Sequence, residues 1–441
     1  MISLIILFVI IILGLAVGMA PLRKVASVSI SDDALAGDVS APHDTDSEHP
    51  LKASVVVLAL QTGTELGDYL QNLYIQDYPD FETIVVCDCN AETAAMLSEE
   101  FASYPNLHIT FLPPGSRRLS RRKLALTIGI KAATGDVVVT TSTIVKPESK
   151  EWLSALMQPF NNRAAEGRLT TIAATMGVIV PDSADFPRSK RSSVIYQSNI
   201  ATIQWVGEAL LGNPIRCAGF NMAFRRELFF ELKGYSSSIL LMDGDDDIFL
   251  HELSHYGDCI PVLNPGAALL TDYGDNSMRI YSEYREQYLF TRKFLPQMPF
   301  IRKSFSSWCH WLALPASILP ILAGIYGIFS MADRNLDIAS WAGGLWMEKG
   351  VSSLWATLPG DFGQRAAAMI ICMGVAVLLL TLYAAATASL YIKAARKINP
   401  YRLHYSPLYA IWRALWQPIS NLLFRLSRRS DPAAHYTYKH N

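Results

Sequence analysis

The stretch ASVVVLAL at residues 53–60 decides the fold. It is a continuous, valine-rich apolar run of strand length. A strand that reads apolar on both faces is covered on both faces, the pattern of a parallel sheet flanked by helices. Working outward, Leu66, Tyr69, Leu70, Leu73 and Tyr74 recur at helical spacing over 64–77. ETIVVC at 82–87 reads as a second strand ending at Asp88. A helix over 91–102 and a strand over 107–112 follow. A helix over 121–134 then carries Leu124, Ile128 and Ala132 on one side, and DVVVTT at 136–141 is a fourth strand. This alternation predicts an α/β fold on a mostly parallel sheet with crossover helices. Such sheets bind ligands outside the carboxyl ends of their strands. The positions to watch are therefore 61–63, 88–90 and 141–146.

Composition adds a second theme. Of 441 residues, 51% are hydrophobic and 17% charged, too apolar a balance for an ordinary soluble protein. Residues 2–20 are uncharged and long enough to span a bilayer. No Lys or Arg precedes them, while Arg23 and Lys24 follow, which predicts a retained anchor over 1–22 rather than a cleaved signal peptide. Two more transmembrane helices are expected at 304–329 and 366–393, joined by an external loop at 330–365. Arg302 and Lys303 before the first, and Lys393, Arg396 and Lys397 after the second, place the bulk of the chain in the cytoplasm. Residues 23–52 read as a flexible acidic linker. Residues 394–441 read as a cytoplasmic interfacial helix and tail, with Trp412, Trp416, Leu422 and Phe424 interleaved with Arg413 and Arg425. The folded domain is thus 53–303. A net charge of −1 gives no basic field for nucleic acid. Six cysteines without a CxxC pair point to neither a zinc site nor a disulfide framework.

Four blocks carry chemistry, in this order: YIQDYPDFETIVVCD at 74–88, SRRKLALTIGIKAATGD at 120–136, GFNMAFRRELFFELKGY at 219–235 and GDDDIF at 244–249. Together they resemble the family 2 glycosyltransferases, which have the GT-A fold, over about residues 53–300. The resemblance implies that Asp88 contacts the nucleotide base. It implies that Asp245 is the general base that deprotonates the acceptor, with Asp246 beside it and the register uncertain by one residue. It places Asn221 on the acceptor side, and more loosely Gln287 and Arg292. The spacing around Gln287 does not match the Gln-x-x-Arg-Trp pattern of processive synthases. Read as residues alone, crowded carboxylates raise one another's pKa, which suits a base working near neutral pH. The plainer reading of the same run is an acidic turn before a helix. Asp88 also suits a turn, and Asn221 a loop residue that satisfies backbone groups.

One expected motif is missing. The family carries Asp-x-Asp after the fourth strand to hold a divalent cation on the diphosphate. Here TTSTIVKP occupies 140–147, with no acid between Asp136 and Glu148. Hydroxyls are poor ligands for a hard cation. The metal ligands are therefore unknown, and Mg or Mn is only weakly implied. The basic run Arg117, Arg118, Arg121, Arg122 and Lys123 could replace the metal's charge, so Arg122 and Lys123 are candidate nucleotide-binding residues. The same run also suits a solvated face or anionic lipid. The sequence points to an inverting, non-processive glycosyltransferase of a bacterial inner membrane. It moves a sugar from a nucleotide-sugar donor to a lipid-linked or surface-glycan acceptor. The alternative is an inactive homologue that scaffolds glycan assembly.

Overall fold

A computed structural model describes residues 13–28, 50–59, 64–113, 120–165, 172–273, 276–309, 311–312, 362–399 and 406–427. Two compact units separate. One holds residues 21–299 and 393–399 of the described chain, and with them both β-sheets.

The larger sheet has seven strands: β1 (Ala53–Ala59), β2 (Phe81–Cys87), β3 (Leu107–Phe111), β4 (Val137–Ser142), β6 (Ile172–Met176), β8 (Met222–Arg225) and β9 (Asp258–Pro261). Their order is β3-β2-β1-β4-β8-β6-β9. The pairs β3–β2, β2–β1, β1–β4 and β6–β9 are parallel, whereas β8 runs antiparallel to both β4 and β6, so the sheet is mixed. Every residue of β1 and β4 is buried, as the continuous apolar run of β1 demands. Helices α2 (Thr64–Tyr74), α3 (Ala91–Glu100) and α4 (Arg121–Ala132) are the crossovers that connect the parallel strands β1, β2, β3 and β4 in turn. Gly129 lets α4 lie close on the sheet, since a Cβ there would fall 2.4 Å from Val56. A second sheet of three strands, β5 (Val145–Pro147), β10 (Leu269–Thr271) and β7 (Ile179–Val180), lies in the order β5-β10-β7. The remaining helices of this unit are α1 (Ala20–Ser27), α5 (Trp152–Ala165), α6 (Arg188–Leu210), α7 (Arg226–Glu231), α8 (Asp247–Leu253) and α9 (Ser277–Thr291).

A buried carboxylate ties three strands at the edge opposite the ligand end. Glu82, at the start of β2, accepts hydrogen bonds from the Ser54 hydroxyl and from the Thr134 backbone N–H at 2.6 Å. Burial works against its charge, but the bonds from Ser54 and Thr134 and the Lys52 ammonium outweigh it and lower the pKa to about 2. The stability this adds is present above the unfolded value near 4.3 and is lost as pH falls towards about 2. Glu82→Gln should therefore cost about 1–3 kcal/mol at neutral pH and flatten the acid limb of stability. Urea unfolding from pH 7 down to pH 3 checks this.

The second unit comprises, among the described residues, 13–20, 300–309, 311–312, 362–392 and 406–427. Here the expectation of transmembrane helices is corrected. Among the described residues, no helix is long and apolar enough to cross a membrane. The long helix α10 (Phe362–Ile398) covers the expected span 366–393. Its C-terminal half buries a single stripe, Ala384, Ala388, Tyr391, Ala395 and Ile398, while Thr381, Leu382 and Lys393 are exposed. That stripe packs on protein, while the opposite side leaves Leu378 and Leu382 exposed. In the segment 13–19, Gly14 and Gly18 let Cys309 and Ser306 approach. Most of the expected anchor at 1–22, most of the linker at 23–52, the greater part of 304–329 and nearly all of 330–365 lie outside the described residues, as does the tail from 428. Helix α11 (Pro407–Ser427) carries no acid and leaves Leu408, Trp412, Trp416, Leu422, Leu423 and Leu426 exposed.

Candidate functional site

The site forms where β2 and α4 meet the acid block. Asp88 directly follows β2, and α4 begins at Arg121 under the N-cap of Ser120. Three cations, Arg121, Arg122 and Lys123, occupy the first turn of α4. A helix N-terminus carries partial positive charge, so cations there are unfavourable unless each meets a compensating partner. Each does. Arg121 makes a two-point ion pair with the half-exposed Asp88. Arg122 pairs with Asp245, and its second nitrogen lies 3.4 Å from Asp246. The Lys123 ammonium donates to three backbone carbonyls: Ser238, Leu241 at 2.9 Å and Asp243 at 2.7 Å.

The three aspartates of 245–247 have different surroundings. Asp245 is 3% exposed, accepts from Arg122 with one oxygen and leaves the other, Oδ1, buried without a partner among the described residues. Burial raises its pKa, against the pull of Arg122 and with a further push from Asp246. Asp247 is buried too, and accepts from the Thr291 hydroxyl at the end of α9. Burial and the neighbouring Asp246 push it well above the carboxylate range. Asp246 alone of the three is not fully buried, with its side chain 14% exposed. It caps α8, accepting from the Asp247 N–H at 2.8 Å. Gly219 makes room for it, since a Cβ there would lie 2.8 Å from that of Asp246. Phe220 underlies the Arg122 guanidinium at 5.0 Å.

Burial disfavours the charged form of Arg122, but Asp245 and Asp246 outweigh it and hold the guanidinium protonated well beyond the usual range. Two tyrosines absent from the sequence reading complete the cluster. Tyr284, on α9, is raised by burial and lies in the field of Arg122 and the two acids. Tyr235 is also raised by burial and by Asp245, and its hydroxyl has no partner among the described residues. Tyr288 of α9 sits under the Arg216 guanidinium at 4.1 Å. The sequence signal for α9 was there in Tyr281, Tyr284 and Tyr288, spaced to share one helix face.

The structure therefore brings Asp88, Arg122, Lys123, Asp245 and Asp246 together. It treats the acceptor-side candidates differently. Asn221 is fully buried; its amide donates to Val178 O and Ala267 O, both at 2.9 Å, and its oxygen accepts from the Trp152 indole at 2.9 Å. Those bonds pin β7 and the approach to β10 against the end of β8, so Asn221 faces the protein rather than a ligand. Gln287 has its amide nitrogen buried without a partner among the described residues. Arg292 is half-buried just after α9. Lys123, expected to meet the nucleotide, has all three N–H groups on carbonyls. Arg117, Arg118 and the loop 61–63 lie outside the described residues.

The end of β4, where the resemblance implied a metal, is lined by hydroxyls. The Thr140 hydroxyl donates to Gly219 O at 2.8 Å, Thr141 bonds Tyr69 at 2.8 Å, and Ser142 donates to Leu58 O at 2.8 Å. These hydroxyls serve the sheet and offer no carboxylate. Among the described residues, no group of three His, Cys, Asp or Glu side chains could hold a metal ion. The residues present do not fit the Mg or Mn site that the resemblance implied.

No family model matches the chain, and no curated protein sequence matches it. Among solved structures it is similar to a mannosyltransferase from Pyrobaculum calidifontis in complex with GDP-Man and Mn2+, at 20% identity and a TM-score of 0.44, over 89% of this chain and 98% of that one. It is also similar to S. aureus TarS in complex with UDP-GlcNAc, at 15% identity and a TM-score of 0.34, over 79% of this chain and 89% of that one. A third is GalNAc-T7 with UDP, GalNAc and Mn2+, at 17% identity and a TM-score of 0.36, over 51% of this chain and 44% of that one.

Proposed function

We propose that the chain is an inverting, non-processive glycosyltransferase that takes a sugar from a nucleoside-diphosphate donor and passes it to a lipid-linked or surface-glycan acceptor. The observation that carries this reading is one partly exposed carboxylate, Asp246, fixed at a helix start with the buried Arg122–Asp245 pair behind it. Arg121 joins this cluster to Asp88 at the carboxyl end of β2, where an α/β sheet binds its ligand.

In this reading Asp246 removes the proton of the acceptor hydroxyl as that oxygen attacks the anomeric carbon. The bond from that carbon to the diphosphate oxygen breaks, and the diphosphate leaves with the electron pair. A single displacement from the opposite face inverts the configuration. The leaving group's charge is met by the α4 N-terminus and by Arg121, which is exposed enough to turn from Asp88 to a phosphate. No step is routed through a metal. The exposed apolar face of α11, bearing two stacked tryptophans 5.7 Å apart and no acid, suits the surface of a membrane that presents a lipid-linked acceptor.

The second reading, an inactive scaffold, is favoured by the absence of carboxylates at 140–143. Nucleotide release from a panel of sugar nucleotides, with Mn2+, Mg2+ or EDTA and with membrane lipid extract as acceptor, separates the two. Release is expected to be little changed by EDTA and absent from Asp246→Asn. Release from no donor, with acceptor present, would leave the scaffold.

A further inference from the structure

The side chain of Lys123 is a buried cation whose partners are all main chain. It is 5% exposed, and its three N–H groups reach Ser238 O, Leu241 O and Asp243 O across more than a hundred residues of sequence. Those carbonyls line a turn that begins after Tyr235 and ends at Gly244, whose φ of +95° passes the chain directly into Asp245. Within it Ser238 and Leu241 are buried while Ile239, Leu240 and Met242 are exposed, and its backbone bonds include Ser238 N–H to Tyr235 O at 3.2 Å and Leu241 N–H to Ser238 O at 3.0 Å. A side chain from another element thus gathers three carbonyls of the turn immediately ahead of the acid block.

We propose that Lys123 is a positioning residue whose ammonium clamps the turn 238–243 and so sets Asp245 and Asp246 against Arg122. A lysine ammonium has three donors and no acceptor, which matches three convergent carbonyls. A neutral amine has two donors and a lone pair, so one carbonyl loses its bond and faces the lone pair. The clamp is thus tied to the proton on Lys123. The charged groups facing it are Asp243, Asp245 and Asp246, which hold the proton, and Arg122, which repels it. Burial outweighs them and lowers the pKa to about 8. The turn should therefore loosen as pH rises through about 8. Global stability moves the other way. The folded chain gives up this proton more readily than the unfolded one, so the Lys123 contribution to stability rises between pH about 8 and the unfolded value near 10.4. Loosening of the turn is thereby distinguishable from unfolding.

The catalytic consequence rests on the transferase reading, whereas the clamp does not, so two experiments are paired. Hydrogen exchange followed by mass spectrometry reads the peptide spanning 236–244 in the full-length protein. After correction for intrinsic rates, its exchange should rise between pH 7 and pH 9, while peptides from β1 and β4 stay unchanged. Flat exchange across that range would overturn the clamp whatever the protein catalyses. In turnover, Lys123→Met should lower kcat about 10²-fold, the scale of loss when a reacting group is misplaced by about an ångström. Donor KM should stay nearly constant and the alkaline limb of the wild-type kcat profile should disappear. A rise in donor KM at unchanged kcat would instead put Lys123 on the diphosphate and overturn the positioning role. If the variant does not fold, the wild-type exchange experiment still decides.

Discussion

Arg122→Met should unfold at clearly lower urea concentration than the wild type, with a loss of about 3–5 kcal/mol. The reason is the company Arg122 keeps. Its side chain is 19% exposed, it pairs with Asp245 at 3% exposure, and it reaches Asp246 as well. Methionine keeps much of the volume and the contact with Phe220 but removes the charge. That leaves the buried carboxylate of Asp245, with Asp246 beside it, without the cation it contacted. Breaking a buried pair from one side costs more than the pair is worth, because the remaining charge has lost both water and partner. The companion variant makes the argument specific. Arg122→Met combined with Asp245→Asn removes both charges, and should recover a large part of the loss. The coupling between the two sites in a double-mutant cycle should exceed about 1 kcal/mol. A single-variant loss below about 1 kcal/mol, the level of an exposed pair, would show that Arg122 does not hold the acid block.

What the sequence disclosed follows from which interactions are local. The runs at 53–59, 81–87, 107–111 and 137–142 could be read as strands because each is a dense apolar segment between turn residues. Strands β6, β8 and β9 were not assigned. They are 5, 4 and 4 residues long, and β8 is hidden in a segment read for its chemistry. The acid run 245–247 was visible as a run, but its inner division of labour was not. That division is set by Arg122, by Thr291 and by exposure, all supplied by elements distant in sequence. Lys123 shows the limit most clearly. A basic residue in a basic run suggests a phosphate, whereas here its partners are carbonyls, and a carbonyl acceptor leaves no trace in residue identity. Asn221 was noticed for the block around it, and its three bonds to Val178, Ala267 and Trp152 show a joint between the sheets. Hydropathy over 366–393 counts apolar residues without regard to face, whereas burial in the C-terminal half of α10 follows the stripe Ala384, Ala388, Tyr391, Ala395 and Ile398.

The largest effect on turnover is expected from Asp246→Asn, a loss of about 10²–10⁴-fold in kcat with stability nearly unchanged. Two features make this substitution clean. Asn is as good an N-cap as Asp, so the bond to the Asp247 N–H and the start of α8 survive. Asp246 also lies farther from Arg122 than Asp245 does, at 3.4 Å for the nearest contact, so the buried ion pair remains. What is lost is the basic oxygen on the one carboxylate of the run with solvent exposure. Asp245→Asn should behave differently. It removes the direct partner of a buried guanidinium, so it should lower stability by more than Asp246→Asn does, with a smaller direct effect on proton removal. Kinetics and urea unfolding of the two variants, measured side by side, therefore assign the roles. Loss of transfer in Asp245→Asn at unchanged stability, with Asp246→Asn active, would move the base one residue back, to Asp245 with its unpartnered Oδ1. Loss in Asp246→Asn with the Asp245 defect confined mainly to stability would separate the group that takes the proton from the group that holds the arginine behind it.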